Sequence, residues 1–93
     1  MAYELRYSRE SIDDLKQLRK FDRTAVLEQI EQVLSVNPQL ESKSRVKMLR
    51  QPAPTQYRLR IDSFRVFYNV GATHVEVVRV LSKEESLKYL GSD

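Results

Sequence analysis

Three arginines spaced for one face of a β-hairpin carry most of the chemistry this chain can offer. In Tyr57-Arg58-Leu59-Arg60-Ile61-Asp62-Ser63-Phe64-Arg65-Val66-Phe67-Tyr68-Asn69-Val70, apolar and polar residues alternate on both sides of an Asp-Ser step. That is the pattern of two short strands joined by a tight turn. With Asp62 and Ser63 as the loop, Ile61 faces Phe64, Arg60 faces Arg65, Leu59 faces Val66 and Arg58 faces Phe67. Like charges directly opposite each other destabilise a hairpin by ~0.2–1 kcal/mol. Folding alone does not select that arrangement, whereas an anionic ligand would. The competing reading is an ordinary solvent face, with arginine stems covering apolar surface and a nearby acid such as Asp62 as partner. If the pair exists for a ligand, neutralising one member should leave stability level or raise it.

Charge distribution favours the ligand. Residues 42–70 carry seven Lys or Arg (Lys43, Arg45, Lys47, Arg50, Arg58, Arg60, Arg65) against the single acid Asp62, while residues 1–41 and 71–93 are slightly acidic. The chain's net charge of +3 therefore hides a basic middle third. A concentrated basic patch with arginine forks and an aromatic on the same face points to a polyphosphate, RNA or DNA. Lys83 and Tyr89 complete the constellation. Lys83 follows a valine-rich strand and emerges at a sheet edge within range of the hairpin, with Tyr89 six residues on in a terminal helix. Tyr89 has a second reading as a docking residue for that helix, together with Leu87 and Leu90.

Other chemistries are poorly served. With one histidine and no cysteine, nucleophilic catalysis would rest on His74 alone, which falls in a turn at the far end of the strands and reads as a surface residue. Asp13-Asp14 and Glu84-Glu85 are sequential neighbours that diverge on helices and read as solvated faces. Gly71 and Gly91 are the only glycines, so there is no phosphate-cradling loop. Neither disulfide nor thiolate metal site is possible, and no metal or cofactor is expected.

These residues need a scaffold to position them. Ninety-three residues with 41% hydrophobic content predict one domain spanning 1–93. Tyr3, Leu5 and Tyr7 alternate in a first strand, Ala2 to Tyr7. Ser8 caps a helix with the stripe Ile12, Leu15, Leu18 that runs to about Lys20. Asp22 or Thr24 caps a second helix striped by Val26, Leu27, Ile30, Val33 and Leu34 and ended by Asn37-Pro38. Residues 39–56 read mostly as loop, with room for a short strand or turn around Val46–Leu49. The hairpin and the strand His74 to Leu81 follow, and Ser82 with Glu85 forms a capping box for a helix from Lys83 to Leu90. The order is β-α-α-β-β-β-α, an α+β architecture in which a helical hairpin covers one face of a mostly antiparallel sheet and the arginines occupy the other. No apolar leader or membrane-length run is present, so the expected address is the cytoplasm.

The hairpin, followed by Val77-Val78-Arg79-Val80-Leu81-Ser82-Lys83 with Tyr89 behind, resembles the RelE/ParE superfamily of toxins from type II toxin–antitoxin systems. It looks most similar to the RelE-type mRNA interferases, ribosome-dependent endonucleases that cut mRNA in the decoding site. The resemblance implies an active site of Arg58, Arg60, Arg65, Lys83 and Tyr89. Lysines are more familiar at the first two positions, and an arginine at the position of Lys83. It further implies metal-independent attack of a ribose 2′-hydroxyl on the scissile phosphate. Tyr89 would serve as base, its pKa lowered by the neighbouring cations. Phe67, on the arginine face, either stacks an unpaired base or packs under the last helix, and Lys43, Arg45, Lys47 and Arg50 would contact ribosomal RNA, the competing reading being a solvated charge run. A RelB-like antitoxin is the implied protein partner. A ParE-like inhibitor of DNA gyrase and an inactive binding protein of the same fold are the alternatives.

Overall fold

The computed structural model describes residues 2–42 and 45–91. The first strand, β1 (Glu4–Tyr7), leads directly into helix α1 (Arg9–Gln17). Ser8 is its N-cap: the hydroxyl accepts from the Ser11 N–H at 3.0 Å and donates to the Val78 carbonyl at 2.7 Å. The cap therefore also ties the start of α1 to the sheet. The helix stops at Gln17, short of Lys20, because Leu18 turns to extended backbone (ψ 150°). Helix α2 (Lys20–Gln29) then begins earlier than the polar residues Asp22 and Thr24 suggested, with Arg19 at the N-cap. It continues as a π-helical segment, Ile30–Leu34, before Pro38. Leu15, Val26, Ile30 and Leu34 are buried as the stripes predict, while Ile12 stays 41% exposed.

The expected loop contains one additional strand, β2 (Val46–Met48), followed by β3 (Tyr57–Ile61), β4 (Phe64–Val70), β5 (His74–Ser82) and helix α3 (Lys83–Tyr89). One five-stranded sheet results, in the order β1-β5-β4-β3-β2, with β1 parallel to β5 and the other pairs antiparallel. Asp62 adopts φ +50° in the hairpin turn, a conformation aspartate tolerates better than most residues and that tight hairpin turns require.

The sheet separates two apolar layers. Against α1 and α2 lie Tyr57, Leu59, Ile61, Val66, Tyr68, Val75, Val77 and Val80. On the opposite face a smaller cluster joins Leu49, Phe67 and Leu81 to Ala53, Tyr89 and Leu90. That second layer seats α3, whose capping box is complete: Ser82 Oγ accepts from the Glu85 N–H at 3.1 Å and Glu85 accepts from the Ser82 N–H at 3.0 Å. Among the described residues, no helix is long and apolar enough to cross a membrane.

Candidate active site

The hairpin pairs in the register that the alternation predicts: Ile61↔Phe64, Arg60↔Arg65, Leu59↔Val66, Arg58↔Phe67. Directly opposed residues share a face. Extending the rows across the sheet gives Lys47–Arg58–Phe67–Arg79 and, beside it, Arg60–Arg65–Leu81. Among the described residues, no carboxylate forms an ion pair with Arg58, Arg60 or Arg65. Burial and then mutual repulsion act on two of the three. The Arg58 guanidinium is pushed down first by burial and then by Arg60, and Arg65 by burial, then Arg60, then Arg58. Arg58 Nε is buried without a hydrogen-bond partner.

Arg65 differs from its neighbours. It is only 6% exposed, and one terminal nitrogen donates to the carbonyls of Asp62 and Phe64, both at 2.9 Å. Its guanidinium is thus locked across the turn, and Asp62 serves it through its backbone. Arg60 is exposed and lines a groove of about 550 Å³ with Arg45, Ala25, Glu28, Gln29, Ile61 and Asp62.

Lys83 is brought to the same end of the sheet. Phe64 pairs with Ser82, and the Lys83 N–H donates to the Ser63 carbonyl at 2.8 Å. From there α3 runs back along the second face, so Tyr89 lies about 9 Å further along the helix axis. Its ring packs on Phe67 (centroids 4.9 Å apart, planes tilted by 60°) and beneath the Arg79 guanidinium, 5.6 Å from the ring centroid.

Three readings are decided here. Of the two for Phe67, packing holds: it is 0% exposed under Tyr89 and offers no face to a base. The charges acting on Tyr89 are Arg79, which favours the phenolate, and Glu10 and Asp14, which oppose it. Burial dominates, and the phenol is pushed up rather than down. Asp14, read from sequence as solvated, is a pairing residue. It accepts from Arg79 Nε at 2.8 Å and from a second Arg79 nitrogen at 3.0 Å, and also takes the Val80 N–H at 2.9 Å. The expected constellation is therefore two groups: a cationic group of Arg58, Arg60, Arg65, Lys47 and Lys83, and a second of Tyr89, Arg79 and Asp14. Alternation along β5 puts Arg79 on the arginine face, but nothing in the chain order links it to Asp14, 65 residues earlier.

Of the other basic residues, Lys47 extends the arginine row from β2, and Arg45 donates to Gln29 Oε1. Arg50 is exposed in the loop after β2, and Lys43 lies outside the described residues. His74 begins β5 with its ring against Gly71, where an added Cβ would lie 2.5 Å from Cε1. Eight strand residues, roughly 26 Å, separate it from the hairpin turn.

The fold has counterparts among solved structures. The chain is similar to the structure of the toxin–antitoxin complex RelBE2 from Mycobacterium tuberculosis, at 25% identity and a TM-score of 0.75 over 88% of this chain and 99% of that one. The archaeal RelE–RelB complex from Pyrococcus horikoshii matches at 22% identity and 0.71, over 89% and 97%. A mutant of the E. coli toxin RelE in the free state matches at 20% identity and 0.72, over 97% and 95%. Comparison with curated proteins finds no match. Residues 5–87 match the family model described as the ParE toxin of the type II toxin–antitoxin system parDE. This chain belongs to that toxin family of type II toxin–antitoxin systems.

Proposed function

We propose that this toxin is a metal-independent endoribonuclease that cuts mRNA on the ribosome and so stops translation. One observation carries the reading: Arg58, Arg60 and Arg65 occupy one sheet face with no acidic partner among the described residues, at a cost to folding that a bound phosphate would offset. The 2′-oxygen of the ribose attacks phosphorus, the bond to the 5′-oxygen breaks, and the negative charge that grows on the phosphoryl oxygens is held by the arginines. Arg65, fixed by two backbone carbonyls, is already oriented for this role. Lys83, at the hairpin end, supplies the proton to the leaving 5′-oxygen, and Tyr89 takes the proton from the 2′-hydroxyl. Lys43, Arg45, Lys47 and Arg50 contact ribosomal RNA phosphates.

The protein acts in the cytoplasm, where translation occurs, under the control of a RelB-like antitoxin. Antitoxin complexes are what several similar structures hold. Tyr89→Phe tests the reading. With programmed ribosomes it should keep the fold and lose mRNA cleavage, and cleavage at the wild-type rate would remove the tyrosine from the mechanism.

Two observations favour a second reading, an inhibitor of DNA gyrase. The family model that matches is ParE, and the phenol of Tyr89 is pushed up rather than activated. Induction in cells separates the two. Protein synthesis halting before replication supports the ribonuclease, whereas early DNA damage with translation intact supports the gyrase inhibitor.

A further inference from the structure

Among the described residues, the cation acting on Tyr89 is Arg79, which is not one of the arginines of the hairpin. Arg79 stands over the Tyr89 ring and is itself gripped at two nitrogens by Asp14, which also holds the Val80 backbone. Three separate elements meet here: Asp14 from α1, Arg79 from β5 and Tyr89 from α3. Helix α3 has only seven residues, too few to hold its own orientation in water, so the direction of its last tyrosine depends on what it docks against. Phe67 supplies an apolar seat, a contact with little directional preference. Arg79 adds a directional contact, because a cation is attracted to the face of an aromatic ring, and the fork of Asp14 fixes where that cation stands.

We propose that Asp14 and Arg79 are a positioning pair for Tyr89, setting the place of its hydroxyl relative to the arginine face. The inference rests on the ribonuclease reading of the site and assigns Arg79 a task of its own, since it is the arginine that stands over the Tyr89 ring. The groups facing the phenol are Arg79 from β5 and Glu10 and Asp14 from α1. Of these, only Arg79 favours the ionised form.

The test is a double-mutant cycle between Arg79→Gln and Tyr89→Phe, with Asp13→Asn as the control on the exposed neighbour. Cleavage of mRNA on programmed ribosomes should fall about 10- to 100-fold in Arg79→Gln, the scale of a misplaced reacting group. It should fall no further in Arg79→Gln/Tyr89→Phe than in Tyr89→Phe alone, since a residue that acts through the hydroxyl has nothing left to position. Losses that multiply would overturn the proposal, as would an Arg79→Gln variant that cuts normally while Tyr89→Phe is dead. In that last case the ribonuclease site itself stands. If Tyr89→Phe cuts normally, the site reading fails and this proposal with it. A measurement independent of cleavage is the titration of Tyr89 followed by NMR of the full chain. Arg79→Gln should move its midpoint to higher pH, because the one charge favouring the phenolate is gone, and an unmoved midpoint overturns the proposal. Should Arg79→Gln fold poorly, Arg79→Lys keeps a cation beside Asp14 while losing the fork. Its loss of cleavage must likewise vanish in the Tyr89→Phe background.

Discussion

On one face of the sheet Arg79 meets two oxygens of Asp14, at 2.8 and 3.0 Å, while Arg60 and Arg65, one row away and directly opposite each other, meet no carboxylate among the described residues. Both regions contain arginine on neighbouring strands of the same sheet, and both flank α3. The Arg79 corner is electrically closed: hydrogen bonding to Asp14 pushes the guanidinium up from its ordinary value, which favours its charged form. At the hairpin, burial and mutual repulsion push Arg58 and Arg65 down. The charge of Arg79 is balanced inside the fold, and so it can orient a neighbour. An uncompensated group is a surface awaiting an anion, and the difference between the two regions separates positioning from ligand binding more sharply than composition does.

The largest effect should come from the open region. Arg60→Gln removes an exposed charge that makes no intramolecular bond at its guanidinium, so mRNA cleavage should drop ~100-fold or more, while the thermal midpoint stays level or rises by the equivalent of up to ~1 kcal/mol. Loss of stability with normal cleavage would make Arg60 an ordinary structural residue and erase the contrast. The closed region should lose stability as well as cleavage. Asp14→Ala leaves Arg79 uncompensated and the Val80 N–H without its acceptor, so denaturant titration should show a loss of ~2 kcal/mol.

Arg65→Gln sharpens the comparison, because Arg65 belongs partly to each region. Relief of repulsion alone would leave stability level or raise it. In the structure, however, Arg65 is buried and bonds two carbonyls of the turn. Its replacement should therefore cost ~1 kcal/mol in unfolding free energy while also lowering cleavage. Arg60 is thus the cleaner probe of charge.

The smallest effect concerns a tyrosine with no cation beside it. Tyr68 donates to the Pro38 carbonyl at 2.6 Å, and burial, then Tyr57, pushes its phenol well above the ordinary value. The unfolded chain ionises first, near pH ~10, so the stability present below that pH should decline as pH rises past it. Tyr68→Phe should lose ~1 kcal/mol at neutral pH and show a shallower alkaline decline in thermal midpoint. Equal alkaline slopes would assign the decline to other groups.

Much of this molecule is legible in its order of residues because the determining interactions are local. Alternation around Asp62-Ser63 specifies the hairpin register, since a slip of one residue would bury Arg58 and Arg60 and expose Leu59. Ser8 and the Ser82–Glu85 box mark helix starts because capping operates within three residues. The arginine face follows from register alone, and so does its repulsion. The three-residue strand β2 was legible only as a short strand or turn around Val46–Leu49, because its apolar residues are too few to set a period. It exists through pairing with β3.

What only the tertiary structure decided is which charges meet. The sequence by itself determined an α+β chain with a basic hairpin, a terminal tyrosine six residues after a lysine, and no histidine or cysteine able to serve them. It did not determine that Asp14 reaches across 65 residues to Arg79, nor that the cation standing over Tyr89 is Arg79 and not an arginine of the hairpin. Periodicity reports which face a residue takes, whereas an ion pair depends on the distance between two faces. That distance is set only when α1, β5 and α3 dock together.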